Sequence, residues 1–242
     1  AGQSNPDGRV PNDRLPDYIK AMSTDTAFTT GAYKYCKIAQ NRTDGKFRPF
    51  WPKSKRRAKP HTWGYDAITY YWLEQLWQEP FYVIKWAIGG TSIEPSASSD
   101  KSVHWSANPE WLSGNVATSQ KGRSLLLSFI NDIDGCIDNT LSKLKNGYRI
   151  DAFLWHQGEN DSYNGNYKTY YEKLHTIFEA LKNELNLDDV PFIIGGLGDY
   201  LGKIGFGFNC TEYDLVNKEL LRYANDHNHV YFVTAQGLSA NP

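Results

Sequence analysis

Three short segments of the sequence combine nucleophilic, amide and carboxylate side chains with glycine. The first opens the chain as Gly2-Gln3-Ser4-Asn5 and is followed by Pro6. A serine at a helix start has an exposed hydroxyl and free backbone N–H groups nearby, which are what a nucleophile and an oxyanion site need. The same residues are also typical of a plain turn that caps a helix, since proline is tolerated in a first helical turn.

The second segment is Ala-Ile-Gly-Gly-Thr-Ser-Ile at positions 87–93, directly after a predicted strand. Glycine lets other groups approach the backbone closely, so Gly90 can offer its N–H to a developing oxyanion. The alternative is a flexible turn at a strand end, and the glycine pair alone does not decide between the two.

The third segment is Trp-His-Gln-Gly-Glu-Asn-Asp at positions 155–161. It places two amides and two carboxylates just past a predicted buried strand. Each buried polar group needs a partner, so this density of polar groups favours a functional site over packing alone. Asn160 and Asp161 have the alternative role of capping the helix that follows.

Together the three segments resemble the SGNH hydrolase superfamily, above all its carbohydrate esterases: the sialate O-acetylesterase-like proteins and the acetyl xylan esterases of carbohydrate esterase family 6. Members of that branch contain three motifs: G-Q-S-N near the start, a G-G-T/S turn after the second strand, and W-x-Q-G-E in the middle. The three motifs occur here in that order and span the chain. The resemblance implies a serine esterase that removes O-acetyl groups from carbohydrate (acetylated xylan, sialic acid or another glycan) through an acyl-enzyme.

The resemblance also implies roles for five residues. Ser4 is the expected nucleophile, and its N–H together with the N–H of Gly90 would contribute to the oxyanion hole. The third donor would be the side-chain amide of Gln157, which matches this branch and is favoured, or that of Asn160, which matches the G-x-N-D block of the wider superfamily. Glu159 would orient or support the histidine, or else brace its loop by accepting backbone N–H bonds.

The sequence departs from the family pattern in two places. Pro6 stands where the family usually has methionine, and the D-x-x-H motif that supplies the catalytic Asp and His does not occur before Pro242. We therefore expect both ends to be trimmed and the Asp and His to follow in a continuation of the chain. His156, beside the third segment, is the first alternative base. The other histidines are expected to have surface or structural roles: His61, His104, His175, His227 and His229.

The elements that must position these segments alternate between helices and short apolar strands. Helices are predicted at Asp66–Trp77, 119–145, 167–185 and from a capping-box variant at Thr211, and strands at 81–88, 150–155, 190–194 and 230–234. Strands separated by helices pair in parallel through right-handed crossovers. The pattern predicts one SGNH-type domain over residues 1–242, an α/β fold built as a three-layer α/β/α sandwich around a central parallel sheet.

Two of the predicted helices have apolar residues at helical spacing. Ile68, Trp72 and Leu76 share one face of the first long helix. In the helix at 167–185, the residues predicted to face inward are Tyr171, Leu174, Phe178 and Leu181.

The composition limits the partners of the chain. A formal net charge of -1 over 242 residues gives no electrostatic footprint for nucleic acid or an acidic membrane. No apolar run is long enough to cross a bilayer, and no signal peptide is visible; a secreted or periplasmic location is nevertheless expected. No cluster has metal-ligand spacing, so we expect no metal and no other cofactor. Cys36, Cys136 and Cys210 are far apart and odd in number, which argues against a disulfide framework.

Two long stretches, 11–62 and 91–116, are predicted to be irregular, and loops of this kind select substrates in open α/β sheets. The first contains the basic run 53–59, for which a solvated loop is the simplest interpretation. The 8 Trp and 16 Tyr fit either a core or a sugar-binding cleft. Two other functions stay open: an inactive carbohydrate-binding relative, and an SGNH lipase or thioesterase, which fits W-x-Q-G-E less well.

Overall fold

The computed structural model describes residues 1–22, 33–41, 45–52, 62–99, 103–112, 123–187, 189–202 and 210–238, and the fold is mixed α/β. The α-helices are α1 Ser4–Asp7, α2 Asp17–Lys20, α3 Asp66–Trp77, α4 Pro109–Leu112, α5 Leu125–Asn139, α6 Tyr170–Leu185 and α7 Tyr213–Asp226. The strands are β1 Val10–Pro11, β2 Cys36–Gln40, β3 Arg48–Pro49, β4 Thr62–Trp63, β5 Phe81–Lys85, β6 Val103–His104, β7 Arg123–Ser124, β8 Phe153–Trp155, β9 Phe192–Gly195 and β10 Val230–Val233.

The long helices lie where the hydrophobic period predicted them. α3 matches its predicted bounds, whereas α5 begins only after β7 and ends at Asn139. The predicted start of that helix near 119 falls outside the described residues. The predicted capping box at the start of α7 is wrong, because the residue before the helix is Glu212 and it makes no side-chain capping hydrogen bond.

The chain forms two compact units, and the first comprises residues 2–89 and 131–148. Its main sheet has the order β3-β2-β5, with β2 parallel to β5 and antiparallel to β3. β1 and β4 form a separate antiparallel pair. Since β2 lies within 11–62, the prediction of an irregular stretch is wrong for Cys36–Gln40.

Helix α3 is joined to β2 by a buried carboxylate. Glu74 accepts hydrogen bonds from three backbone N–H groups at the start of β2, those of Lys34, Tyr35 and Cys36, at 3.1, 2.6 and 2.7 Å. The buried face of α3 therefore includes Glu74. Of the face predicted from the apolar spacing, Trp72 and Leu76 are 57% and 74% exposed, whereas Ile68 is partly buried against the core of this unit.

The second unit comprises residue 1 and residues 90–130 and 149–242. Its sheet has the order β10-β9-β8, and both pairs are parallel, as predicted. Helix α6 packs against this sheet through Phe178, whose ring centroid lies 4.8 Å from that of Phe192 and 5.8 Å from that of Phe153. The predicted inward face is confirmed for Leu174, Phe178 and Leu181, which are fully buried. Strand β8 ends at Trp155, directly before the polar segment that contains Gln157, Glu159 and Asn160.

All three cysteines are free and buried. Burial raises the pKa of the Cys136 thiol to about 12 and that of Cys210 to about 11, and it raises the pKa of Cys36 further. In the part of the chain that the structure describes, none of the helices combines the length and the apolar character that crossing a membrane requires.

Candidate active site

Ser4 is the first residue of α1, a single helical turn in the first unit, and it is half-buried. The turn is closed by hydrogen bonds from the Gly8 N–H to the Ser4 carbonyl and from the Asp7 N–H to the Gln3 carbonyl, both 3.0 Å. The sequence-based expectation of a serine at a helix start therefore describes the local structure correctly. At a helix start the backbone N–H groups of the first turn have no partner within the helix.

The backbone before Ser4 is fixed to the segment that follows β5. The Gly2 N–H donates to the Trp86 carbonyl at 3.0 Å, and the Ile88 N–H donates to the Gly2 carbonyl at 3.2 Å. The side chain of Asn41 holds the same segment, because its Oδ1 accepts from the Ala87 N–H and its Nδ2 donates to the Ala87 carbonyl, both at 3.0 Å. The turn that contains Ser4 is thus joined by main-chain hydrogen bonds to residues 86–88, which directly precede Gly89.

Arg9 lies against the glycine turn beside the serine. Its Nη2 is 3.4 Å from the carboxylate of Asp7, whose side chain is fully buried. A Cβ placed on Gly89 would lie 1.9 Å from Arg9 Nη2 and 3.4 Å from Ser4 Cβ. The Arg9 guanidinium thus fills the space that a side chain at position 89 would need. The same geometry brings its positive charge near Ser4. The residue type gave no signal for a role of Arg9, which follows the first segment at Gly8-Arg9.

In the second unit, residues 90–99 form a closed loop. The Ser99 N–H donates to the Gly90 carbonyl at 2.8 Å, and the Ser92 N–H donates to Ser98 Oγ at 3.0 Å. Gly90 has φ +78°, a left-handed conformation that favours glycine. The loop therefore has a defined shape rather than that of a flexible turn.

The polar segment after β8 is almost entirely buried. Gln157, Glu159, Asn160 and Asp161 have exposed fractions of 0, 5, 6 and 1%. Glu159–Asp161 forms a 3₁₀ turn, preceded by Gly158 at φ +145°. These side chains cannot reach bulk water, so each depends on partners within the protein.

Asp161 joins this segment to the 90–99 loop. Its Oδ1 accepts the Glu94 N–H at 2.9 Å, and its Oδ2 accepts the Ile93 N–H at 2.9 Å and Gln157 Nε2 at 2.6 Å. Burial raises the pKa of Asp161 to about 6, although these hydrogen bonds oppose the shift. Asp161, for which the sequence suggested only a helix cap, therefore braces the 90–99 loop by accepting its backbone N–H bonds.

The amide of Gln157 is engaged inside the protein on all sides. Nε2 donates to the Thr91 carbonyl at 3.2 Å as well as to Asp161, and Oε1 accepts the Tyr170 hydroxyl at 3.1 Å. The neighbouring Glu159 has a buried side chain, and its backbone carbonyl accepts a hydrogen bond from Cys210 Sγ at 3.3 Å. These contacts make Gln157 a fixed part of the interior.

Asn160 points toward the loop that contains Gly90. Its Nδ2 donates to the Ala97 carbonyl at 3.2 Å and to Ser99 Oγ at 3.1 Å. Ser99 Oγ would in turn lie 3.0 Å from a Cβ on Gly90. Asn160 and Gly90, two of the predicted oxyanion donors, therefore share Ser99 as a neighbour.

Four of the described histidines have contacts that suit a structural role. Burial lowers the pKa of His156 to about 4, and the ring packs against Gly195. Burial also lowers the pKa of His104 to about 4. His175 Nδ1 lies 3.2 Å from the Tyr223 hydroxyl, and His227 stacks on the Tyr223 ring. His61 and the basic run 53–59 lie outside the described residues.

The comparisons with known proteins agree with the motifs. The family model described as "Carbohydrate esterase, sialic acid-specific acetylesterase" matches residues 1–242. The chain therefore belongs to this family of carbohydrate esterases. Among curated proteins, none matches the chain by sequence.

Solved structures show that the fold is shared. A protein from Arabidopsis thaliana has a TM-score of 0.63 at 19% identity, covering 99% of this chain and 85% of the other. NanS has a TM-score of 0.61 at 14% identity, covering 99% and 77%. XAC1771, described as a novel carbohydrate acetylesterase from Xanthomonas citri, has a TM-score of 0.54 at 13% identity, covering 96% and 48%.

Proposed function

We propose that the chain is a carbohydrate O-acetylesterase that uses Ser4 as its nucleophile. Ser4 Oγ attacks the acetyl carbonyl and loses its proton to a base, the sugar hydroxyl leaves, and water releases acetate from the acyl-enzyme. Family membership over the whole chain and the position of Ser4 at the start of α1 support this proposal. Glu159 and the histidine expected from the D-x-x-H motif remain proposed partners of the serine. A single SGNH-type domain with a three-layer sandwich is part of the same proposal.

We place the oxyanion hole at the N–H groups of Ser4 and Gly90 and the side-chain amide of Asn160. The observation that carries the third assignment is the hydrogen bonding of the two amides. Gln157 Nε2 donates to the Thr91 carbonyl and to Asp161 Oδ2, and both acceptor residues are buried. Asn160 Nδ2 donates to the Ala97 carbonyl and to the hydroxyl of Ser99, which is an exposed residue, so an oxyanion can replace that hydroxyl as acceptor. Gln157, which the sequence favoured, instead holds Asp161 and the loop.

The proposed substrate class is acetylated carbohydrate, and the first candidate is O-acetylated sialic acid, which the family description supports. XAC1771 is itself described as a carbohydrate acetylesterase, which is the same chemistry. Acetylated xylan and other glycans are the remaining candidates. A secreted or periplasmic location belongs to this proposal, because polymeric glycans lie outside the cytoplasm.

The nucleophile is tested by Ser4→Ala with a chromogenic acetate ester. We expect turnover to fall to the background rate, while Ser96→Ala, a change in an exposed serine of the 90–99 loop, keeps wild-type turnover. Acetyl esters should be preferred over octanoyl esters, and acetylated sugars should compete. Wild-type activity in Ser4→Ala would refute the assignment, and a kcat/KM that rises with acyl length would favour the lipase alternative.

The donor assignment is tested by Asn160→Ala beside Gln157→Ala. Losing one oxyanion donor should lower kcat by about a hundredfold or more with little change in KM. We expect this result for Asn160→Ala, with a smaller loss of thermal stability than in Gln157→Ala, because Ser99, one of the two acceptors of Asn160, is exposed and can bond to water. Gln157→Ala should instead lower stability, because Asp161 and Thr91 each lose a partner. A fully folded Gln157→Ala enzyme with the larger kcat loss would reverse the assignment.

A further inference from the structure

Arg9 places a positive charge beside the nucleophile, and the proposed reaction does not use it. Arg9 Nη2 lies 1.9 Å from the point where a side chain at position 89 would begin, and Ser4 Cβ lies 3.4 Å from the same point. All three residues belong to the first unit of the chain. A molecule whose ester group reaches Ser4 therefore also comes within reach of the guanidinium.

The ion pair that Arg9 makes does not use up its capacity to bind an anion. A guanidinium has five N–H donors in a planar fork. The contact to Asp7 involves one nitrogen, and at 3.4 Å it is longer than a charge-assisted hydrogen bond of about 2.8 Å. The Asp7 side chain is fully buried, whereas 38% of the Arg9 side chain is exposed. Asp7 therefore anchors Arg9 from the protein side, and the exposed part of Arg9 can bind a second anion from solvent.

The anionic group of a sugar that matches a guanidinium fork is a carboxylate, which accepts two parallel N–H bonds. The sugar units of neutral glycans such as acetylated xylan offer only hydroxyl, ring and ester oxygens. Hydrogen bonds between two charged groups are about twice as strong as those between neutral groups. A guanidinium beside the nucleophile therefore distinguishes acidic sugars from neutral ones.

We propose that Arg9 is a specificity-determining residue: it binds the carboxylate of an acetylated acidic sugar whose acetyl group is presented to Ser4. The substrate class narrows accordingly to O-acetylated sugar acids, with neutral acetylated xylan disfavoured. This inference rests on the proposed function. It is carried by the proximity of Arg9 to Ser4 and by the exposure of a side chain that a buried carboxylate anchors.

The first test compares two substrates that differ only in charge, O-acetylated sialic acid and its methyl ester, by the release of acetate. In the wild-type enzyme, kcat/KM should be about tenfold or more higher for the acid than for the methyl ester. In Arg9→Gln this ratio should fall to about one, because the charged partner of the carboxylate is gone. A ratio near one in the wild-type enzyme, or an unchanged ratio in Arg9→Gln, would overturn the inference.

Two further variants separate the selectivity from charge and from folding. Arg149→Gln removes one arginine whose side chain is 86% exposed and should keep the wild-type ratio. Arg9→Gln takes away the positive charge that faces the buried Asp7 carboxylate, which can destabilise the fold. Asp7→Asn combined with Arg9→Gln removes both charges together and should also give a ratio of about one. A folded double variant with the wild-type ratio would refute the role of Arg9.

Binding to a Ser4→Ala protein gives a readout that does not depend on turnover. In calorimetric titrations, O-acetylated sialic acid should bind about tenfold or more tightly than its methyl ester, and adding Arg9→Gln should remove this preference. Equal dissociation constants for the two ligands in Ser4→Ala would overturn the inference and leave the proposed function standing. Hydrolysis of the acid by Ser4→Ala at the wild-type rate would instead overturn the nucleophile assignment, so the two failures are distinguishable.

Discussion

Replacing Asp161 by asparagine keeps the size of the side chain but removes its charge and one of its two acceptor oxygens. In the wild-type structure Oδ1 accepts the Glu94 N–H, while Oδ2 accepts the Ile93 N–H and the Gln157 amide. Either orientation of an asparagine amide turns its NH2 group toward at least one of these donors. Each donor left without an acceptor lowers the free energy of unfolding by about 1–3 kcal/mol, and this loss does not depend on pH.

The part that depends on pH follows from the raised pKa of Asp161. Burial raises this pKa from 3.8 to about 6, so the folded protein holds the proton more tightly than the unfolded chain. The stability that the proton provides is present below pH 3.8 and is lost as the pH rises through about 6. The shift corresponds to roughly 3 kcal/mol, of which about 2 kcal/mol falls between about pH 4.5 and pH 7.

The measurement is urea denaturation of both proteins across that pH range. The free energy of unfolding of wild type minus that of Asp161→Asn should decrease by about 2 kcal/mol as the pH rises. His104 and His156 are present in both proteins, so their own titrations cancel in the difference. Gln75→Ala, which replaces an exposed uncharged side chain, is the control and should give a flat difference. A flat difference for Asp161→Asn would refute the raised pKa, and an increasing one would mean that the three donors outweigh burial.

Three further substitutions test the packing around the site. Glu74→Gln should lower the free energy of unfolding by about 2–3 kcal/mol in urea denaturation, because a neutral oxygen replaces the charged acceptor of three backbone N–H groups; a loss below about 0.5 kcal/mol would contradict this. Gly158→Ala should cost more thermal stability than Gly165→Ala, since both have positive φ but only at Gly158 does the new methyl lie 2.9 Å from Val216 Cγ1; equal losses would argue against the contact. Gly89→Ala should change the free energy of unfolding by less than about 1 kcal/mol, because the methyl displaces only the flexible end of Arg9. It should nevertheless lower kcat, and in a variant that already lacks Arg9 it should leave kcat unchanged. An equal loss of kcat with and without Arg9 would rule out the guanidinium as the cause.

The long helices could be predicted because each carries its own hydrophobic period. α3 was predicted at both of its ends, and α6 begins at Tyr170 rather than near 167. The buried face of α3 could not be predicted, because that face is set by β2, which was missed. β2 escaped detection because its short run Cys-Lys-Ile-Ala-Gln has neither the length nor the clean alternation that identifies a strand.

The position of the polar segment after β8 could be predicted from the sequence, but the role of each side chain within it could not. Gln157, Asn160 and Asp161 lie within one turn of each other, so the sequence cannot tell which amide faces the interior. That direction is set by long-range partners: Ile93 and Glu94 for Asp161, and the 90–99 loop for Asn160. Those partners come from a stretch that was predicted to be irregular. They donate through backbone N–H groups, which almost every residue type has, so the sequence does not reveal them.

The burial of the three thiols determines how the protein reacts with thiol reagents and oxidants in solution. Cys36, Cys136 and Cys210 are free and buried, and each has a raised pKa, so little reactive thiolate exists at neutral pH. Maleimides and mild oxidants should therefore leave the native cysteines unmodified, and the covalent framework should be the same in reducing and oxidising compartments. A single cysteine introduced at an exposed position, such as Asp151→Cys, can then carry a fluorophore without removal of any native thiol.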